Sequence, residues 1–150
     1  MEMRIHEARQ NDELLEKLIA MSADWEAKNS CYGYRKNDRS DIAGNRIFLA
    51  EQDGEILGYL FGHEEKSERA SSIMADGTPY FEIEELYVVP NHRSEGIGRS
   101  MFQFAEQAVK AAGIGYIMLS TATKNYKSIL HFYIDELGME FWNARLFKKL

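Results

Sequence analysis

The chain has 150 residues, of which 45% are hydrophobic and 28% charged, with a net charge of −6 and a single cysteine. This length and composition predict one globular domain over residues 1–150, which can bury a core without a metal or disulfide. The acidic balance argues against nucleic-acid binding and mildly favours cationic partners, and the cysteine count excludes an intramolecular disulfide.

The first half of the chain is predicted to form strands and helices around a hairpin. Asp53-Gly54 is a strong hairpin signal, because this turn requires positive φ. The predicted elements are a strand at Met3–Ala8, a helix capped by Asn11 or Asp12, a poorer helix at Asp24–Lys36, and strands at Arg46–Gln52 and Glu55–His63.

No apolar signal core or membrane-spanning run is present, so we expect a cytoplasmic protein with no membrane partner.

The second half is predicted to alternate strands with helices. It follows a polar stretch, Glu64–Thr78, which is predicted to be a long mobile loop of functional importance. An early hairpin followed by alternating elements predicts an α/β sheet of mixed direction covered by helices. The elements are strands at Phe81–Val89, Tyr116–Thr121 and Glu140–Phe147, and helices at Ile97–Ala112 and Lys124–Leu137.

A glycine loop joins the strand ending at Pro90 to the helix starting at Ile97. Its sequence, Arg93-Ser-Glu-Gly-Ile-Gly98, places glycines where helix N–H groups lack partners, which suits a phosphate or pyrophosphate. A phosphate-loop NTPase is excluded because no Gly-Lys-Ser/Thr follows, and the dinucleotide pattern has a different glycine spacing. These residues alone do not exclude the alternative that the glycines form a tight turn and bind no ligand.

Several motifs of the chain, in the order in which they occur, resemble those of the GNAT superfamily of N-acetyltransferases. Arg93-x-x-Gly96-x-Gly98 is similar to the acetyl-CoA signature of that family, Gln/Arg-x-x-Gly-x-Gly/Ala. The resemblance covers roughly residue 45 to the end of the chain. Further similar segments are Ala50–Tyr59, Glu84–Pro90, and Asn125 followed by Phe132-Tyr133 and Leu137-Gly138-Met139.

The resemblance implies an α/β fold with a GNAT-like mixed, mostly antiparallel central sheet, a splayed parallel strand pair and about four flanking helices. It implies acetyl-CoA as co-substrate and no metal. The backbone of Leu86, Tyr87 and Val88 would hold the acetyl and pantetheine arm, and Asn125 would touch the arm. The residues implied to bind the pyrophosphate are Arg93, Ser94, Glu95, Gly96, Ile97, Gly98, Arg99 and Ser100.

The reaction implied is direct attack of an amine on the thioester. An alkylamine is mostly protonated at pH 7, so a general base is useful. We assign Glu84 as base and Glu85 as substrate contact, by similarity to polyamine-type acetyltransferases with an acidic pair here. Neighbours on a strand point to opposite faces unless a bulge intervenes. The alternative is that Glu84 and Glu85 are solvent-exposed strand carboxylates with no role in the reaction.

Tyr133 is the candidate general acid that would protonate the leaving thiolate. The family pattern places this tyrosine seven residues after the asparagine, whereas Tyr133 lies one residue further from Asn125. An extra residue in the helix, such as a bulge, would absorb the difference. Tyr126 is a weaker substitute, and a packed aromatic residue is the alternative interpretation of Tyr133.

The acceptor is predicted to be a small cationic amine resembling a polyamine or an aminoglycoside. A peptide or protein amine is the rival acceptor, and a non-catalytic acyl-CoA sensor is the rival function. The early aromatic residues Trp25, Tyr32 and Tyr34 are candidates to line the acceptor pocket. A homodimer is the default expectation, by family habit and because two-fold homo-oligomers are common.

Overall fold

The computed structural model describes residues 2–150 and contains one five-stranded sheet. The strands lie side by side in chain order, the first four are antiparallel neighbours, and the last two are parallel. The predicted mixed, mostly antiparallel sheet with one parallel pair is therefore confirmed. The strands are Arg4–Ala8 (β1), Arg46–Gln52 (β2), Glu55–Lys66 (β3), Pro79–Val88 (β4) and Ile117–Leu119 (β5).

Four α-helices flank the sheet, and the last of them continues as a π-helix. A short 3₁₀ helix at Pro90–His92 leads from β4 into the glycine loop. Within residues 2–150, no helix combines the length and apolar character needed to cross a membrane. The helices are Asp12–Lys28 (α1), Arg39–Ala43 (α2), Ile97–Ala111 (α3) and Tyr126–Leu130 (α4), and the π-helix is His131–Glu136.

The two faces of the sheet bury separate apolar clusters. Helices α1 and α2 cover one face, where Leu18, Ile42 and Tyr59 are fully buried together. Helix α3 and the π-helix cover the other face, where Phe102 and Tyr133 pack in one cluster with strand residues. A ligand that enters between β4 and β5 therefore meets α3 and the π-helix on one side and α1 on the other.

The early helices differ from their predicted bounds. One continuous helix, α1, includes Trp25, and it ends because Asn29 takes the left-handed conformation at φ +52°. The predicted helix at Asp24–Lys36 is therefore wrong. Helix α2 was not predicted, although its start is a capping box in which Asp38 and Asp41 each accept from the other's backbone N–H.

Two predictions between β3 and the chain end also differ from the structure. Strand β3 extends to Lys66, and the loop after it folds on Ser67, whose hydroxyl donates to Ala75 O (2.7 Å) and accepts from Thr78 N. The predicted strand at Glu140–Phe147 is wrong, because no strand pairs with this segment in the single chain described.

A β-bulge changes the register between β3 and β4. Phe61 pairs with Glu85, but the next residue, Gly62, pairs with Ile83, so Glu84 is the extra residue. A Cβ at Gly62 would clash with the carbonyl of Glu82, so only glycine allows this close approach. The bulge decides which way the acidic side chains of β4 point.

Candidate active site

The two parallel strands separate halfway along β4. Strand β5 pairs with β4 only from Phe81 to Ile83. The later part of β4, Leu86–Val88, therefore has no strand partner on the β5 side. We call the gap beside this unpaired half of β4 the cleft, and it is where the resemblance implied the acetyl and pantetheine arm. The Val88 carbonyl is already engaged, because it accepts from Arg93 Nε at 3.0 Å.

The glycine loop presents a row of free N–H groups beside this cleft. No hydrogen bond within residues 2–150 uses the N–H groups from Ser94 to Arg99 as donors. Gly96 lies in the left-handed region at φ +80°, and Ser94 does so at φ +65°. This conformation, together with the positive end of α3, turns the loop into a concave anion site. The donor set therefore fits the pyrophosphate of coenzyme A.

The remaining loop residues hold the site in place. Arg93 lies over the Tyr87 ring at 5.5 Å, which ties the loop to β4. Glu95 Oε2 lies 2.9 Å from His92 Nδ1 and accepts a hydrogen bond from it when the histidine carries its proton on Nδ1. Ile97 is buried and anchors the start of α3. The predicted Ser100 differs from its neighbours, because its N–H donates within the helix to Gly96 O at 3.0 Å.

Gly98 joins the phosphate loop to the other parts of the site. A Cβ at this position would lie 3.3 Å from Phe132 Cζ and 3.5 Å from Leu86 Cδ2. The start of α3 therefore packs directly on the π-helix and on the open half of β4. Asn125 caps α4 and is exposed, with a side chain that makes no hydrogen bond to another described residue.

Tyr133 lies in the π-helix, and such a wider turn is the kind of bulge that its shifted position relative to Asn125 predicted. Tyr133 is 9% exposed and packs against Phe102 and Phe132. No group in residues 2–150 forms a hydrogen bond with its hydroxyl. Burial raises the pKa of Tyr133 to about 12, so the hydroxyl keeps its proton at neutral pH.

The acidic residues of β4 share one face of the sheet. Phe81 and Ile83 face α3, so Glu82 between them faces α1 and α2. Glu84 Oε1 lies 3.7 Å from Nδ1 of His63, the residue of β3 that stands opposite Glu82 in the strand register. Glu85 also points to this face, where it meets residues around α1. The expectation that Glu84 and Glu85 point to opposite faces is therefore wrong, because the extra residue in the bulge turns both side chains to the same face.

Glu85 is held by three hydrogen bonds to one oxygen. Its Oε1 accepts from Tyr34 Oη (2.9 Å), Asn37 Nδ2 (3.0 Å) and Tyr59 Oη (2.9 Å). Burial raises the pKa of Glu85, whereas these donors oppose the shift. The same burial and the charge of Glu85 raise the pKa of both tyrosines. Sequence reasoning did not identify Asn37 or Tyr59, because both lie far from Glu85 in the chain.

Glu82 is a second titratable residue that the sequence analysis missed. Burial, followed by the charge of Glu84, raises the pKa of Glu82 to about 7. The only sequence signal is its position two residues before Glu84, which places both on one face of a regular strand. A carboxyl group that titrates near neutral pH is suited to proton transfer.

The raised pKa of Glu82 predicts a pH-dependent cost to stability. The free energy of unfolding is highest below the ordinary pKa of 4.5, where Glu82 is protonated in both the folded and the unfolded chain. It falls as the pH rises through about 7, where Glu82 becomes charged in the folded chain. Relative to the parent chain, the free energy of unfolding of Glu82→Gln should be higher at pH 8 than at pH 5 by about 1 kcal/mol, after discounting for solvent screening. Thermal unfolding at both pH values measures this difference. Glu64→Gln, at an exposed position on β3, is the control, and an equal gain there contradicts the assignment to Glu82.

Aromatic rings line the α1 side of the same region. Trp25 stacks on Tyr34 with ring centroids 4.2 Å apart and on Tyr87 at 5.3 Å. Tyr34 also binds Glu85, so these rings continue the acidic face. Tyr32 is separate from this group, since it contacts Phe147 edge-on at 5.6 Å. Two of the three aromatic candidates thus lie together beside the carboxylates.

The candidate site therefore has two parts, one on each face of the sheet. The free N–H groups of the glycine loop and Tyr133 lie with α3 and the π-helix, whereas the carboxylates and aromatic rings lie with α1. Within residues 2–150, no group of three or more His, Cys, Asp or Glu side chains is arranged to hold a metal ion.

Comparison with protein families gives a match over most of the chain. The model described as the acetyltransferase (GNAT) family matches residues 9–139. No match was found among curated proteins.

Solved structures with the same fold cover nearly the whole chain. An aminoglycoside acetyltransferase from an uncultured soil metagenomic sample is 21% identical, with a TM-score of 0.73, covering 100% of this chain and 99% of its own. A transcriptional regulator from Bacillus halodurans C-125 is 23% identical, with a TM-score of 0.72 and coverage of 99% and 100%. AAC(6')-Iy, in complex with the bisubstrate analog CoA-S-monomethyl-acetylneamine, is 18% identical, with a TM-score of 0.70 and coverage of 100% and 99%. At these identities the likeness shows the fold.

Proposed function

Because the chain belongs to the GNAT acetyltransferase family, we propose that it transfers the acetyl group of acetyl-CoA directly to a primary amine of a small cationic molecule. One observation carries this proposal. Three carboxylates, Glu82, Glu84 and Glu85, lie on one face of β4 around Ile83, the last residue that pairs with β5, and the glycine loop with its free N–H groups follows the end of the same strand. The pairing of an anion site with an acidic surface suits an anionic acetyl donor and a cationic acceptor.

On the donor side, the N–H groups from Ser94 to Arg99 would bind the pyrophosphate of acetyl-CoA. The pantetheine arm would run along Leu86–Val88, with Asn125 within reach from α4. A backbone N–H of the open strand would stabilise the oxyanion that forms on the thioester carbonyl. These residues bind and orient the donor, and none of them needs to change its protonation state.

On the acceptor side, we assign Glu84 as the base that removes a proton from the ammonium group. It is the most exposed of the three carboxylates and lies at the point of strand separation. Glu85 is less suited to this role, because three donors already occupy its Oε1. Its fixed charge would instead attract and orient a cationic acceptor. Glu82, with a pKa near neutrality, is the reserve candidate for the base.

The chemical step then balances without a further reactant. The neutral amine attacks the thioester carbon, a C–N bond forms, and the C–S bond breaks. The amine loses its protons to the base and to solvent, the Tyr133 hydroxyl gives its proton to the departing thiolate, and Tyr133 then takes a proton back from solvent. Burial raises the pKa of Tyr133 to about 12, so the hydroxyl is protonated when the thiolate departs, although the transfer is uphill because a thiol has a pKa of about 8.5.

The experiment that tests this function is release of free thiol from acetyl-CoA in the presence of different amines. We expect an aminoglycoside or a polyamine to give a kcat/KM at least about tenfold above that of an uncharged aromatic amine, because three carboxylates surround the acceptor side. Raising the salt from about 0.05 M to about 0.5 M should raise the KM of the polycation selectively, since screening weakens exposed charge pairs.

Each of the other outcomes selects a different function. Preferential turnover of a lysine-containing peptide would favour the peptide or protein acetyltransferase. Binding of coenzyme A with no turnover of any amine would favour the non-catalytic sensor. Failure to bind coenzyme A would contradict the assignment of the glycine loop itself.

A further inference from the structure

The segment that follows α1 crosses to the segment that follows β5. Two backbone hydrogen bonds, of 3.0 Å and 2.9 Å, join residues 30–32 to residues 122–124. Between these bonds, Cys31 stands opposite Thr123 in an isolated antiparallel bridge. The two residues do not bond to each other, and in such a pair the facing side chains approach most closely. Cys31 is therefore held at a fixed place on the β5 side of the cleft.

The Cys31 thiol is a neighbour of the Tyr133 hydroxyl. Burial first, and then the charge of a Cys31 thiolate, raise the pKa of Tyr133 to about 12, which requires the two groups to be close. Tyr133 is 9% exposed, and its hydroxyl makes no hydrogen bond with any group in residues 2–150. A buried hydroxyl without a partner marks a place for a polar ligand atom. Cys31 itself is half-buried, so its sulfur is open to a molecule in the cleft.

The proposed acetyl transfer brings a second sulfur to the same hydroxyl. Tyr133 would give its proton to the sulfur of coenzyme A, which then stays as the free thiol of the bound product. The coenzyme A thiol and the Cys31 thiol would thus share Tyr133 as a neighbour, while the glycine loop holds the pyrophosphate. Two reactive groups that are held side by side have a strongly raised effective concentration.

We propose that Cys31 is a redox site that forms a mixed disulfide with the thiol of bound coenzyme A when hydrogen peroxide is present. Peroxide oxidises the Cys31 thiol to a sulfenic acid and releases one water. The coenzyme A thiol then attacks the sulfenic sulfur, the S–S bond forms, and the sulfenic oxygen leaves as a second water. The two thiols together lose two hydrogen atoms and two electrons, which reduce the peroxide. The coenzyme is then trapped in its own site until a reductant cleaves the disulfide.

The cysteine content of the chain favours coenzyme A as the second thiol. Cys31 is the only cysteine, so no other thiol of the same chain reacts with its sulfenic acid. The second thiol must therefore come from a bound molecule, and coenzyme A is the thiol that the proposed function brings to this place. The inference rests on the proposed binding of coenzyme A and adds control of that site by oxidation.

The intact mass of the full chain tests the proposal. After treatment with peroxide and an excess of coenzyme A, we expect a mass increase of one coenzyme A less two hydrogen atoms, which dithiothreitol reverses. Glutathione at the same concentration is the control, because it has a thiol but no pyrophosphate for the glycine loop. Its adduct should form at least about tenfold more slowly. Equal rates for the two thiols, or bound coenzyme A that forms no adduct, would overturn the proposal.

Two glycine variants show whether the bound coenzyme is the molecule that reacts. Gly96→Val, in the glycine loop, should slow the formation of the adduct at least about tenfold, whereas Gly113→Val, just after α3, should leave the rate within about twofold. Cys31→Ser should form no adduct. If Gly96→Val lost affinity for coenzyme A but kept the parent rate of adduct formation, free coenzyme A would be reacting with an exposed thiol, which contradicts the proposal.

Titration calorimetry with coenzyme A under reducing conditions separates this proposal from the proposed function. Binding of coenzyme A without a disulfide after oxidation contradicts the redox site alone. Failure of the reduced chain to bind coenzyme A contradicts the redox site and the proposed function together. Neither the mass nor the heat of binding depends on turnover of an amine.

Discussion

Gly96→Val should weaken the binding of acetyl-CoA by at least about tenfold, equivalent to a loss of about 1.4 kcal/mol or more. Gly96 has φ +80°, a conformation that a β-branched residue adopts only at a high cost. We expect the valine to drive the backbone toward negative φ and to rotate the neighbouring N–H groups away from the pyrophosphate. Titration calorimetry with coenzyme A measures the change directly.

The matched control for this variant lies at the other end of the same helix. Gly113 has φ +85°, and a Cβ added there or at Gly96 would meet nothing within 4 Å. Gly113→Val should therefore cost similar folding stability and leave the affinity for coenzyme A within about twofold. Equal losses of affinity in the two variants would mean that general destabilisation, and no loss of the anion site, explains the result.

Tyr133→Phe should lower kcat by about 100-fold, the lower range for removal of a general acid. The change deletes only the hydroxyl, which makes no hydrogen bond within residues 2–150. The ring and its packing against Phe102 and Phe132 remain. The dissociation constant for acetyl-CoA should therefore change little. Single-turnover kinetics combined with equilibrium binding separate the two effects.

Two further tyrosines make the result specific. Tyr116→Phe removes an exposed hydroxyl at the start of β5 and should retain full activity. Tyr126→Phe tests the substitute acid on α4. If Tyr126→Phe lost activity while Tyr133→Phe retained it, the acid would be Tyr126, and the π-helix would have a packing role only. In the parent enzyme, no loss of kcat from ionisation of Tyr133 is expected up to about pH 10, because the pKa of that hydroxyl is raised to about 12.

Elements that depend on neighbouring residues lie where they were predicted, whereas elements that need a distant partner do not. The Asp53-Gly54 turn and the amphipathic pattern of α3 depend on neighbouring residues, and both elements lie where they were predicted. The break at Asn29 depends on a single left-handed residue, which sequence periodicity does not reveal. The predicted last strand had the right composition, but a strand also requires a partner, and composition does not report one.

The sequence by itself predicted the glycine loop that we propose binds acetyl-CoA, because such a loop is a local structure. Its glycines, the preceding strand and the following helix lie within a few residues of each other, so their spacing carries the information. Only the tertiary structure decided how the carboxylates of β4 are arranged. The bulge opposite Gly62 turned Glu84 and Glu85 to one face, and Tyr34, Asn37 and Tyr59 met at Glu85 from distant positions. Register and convergence depend on how strands pair and helices pack, and no short segment of sequence contains them.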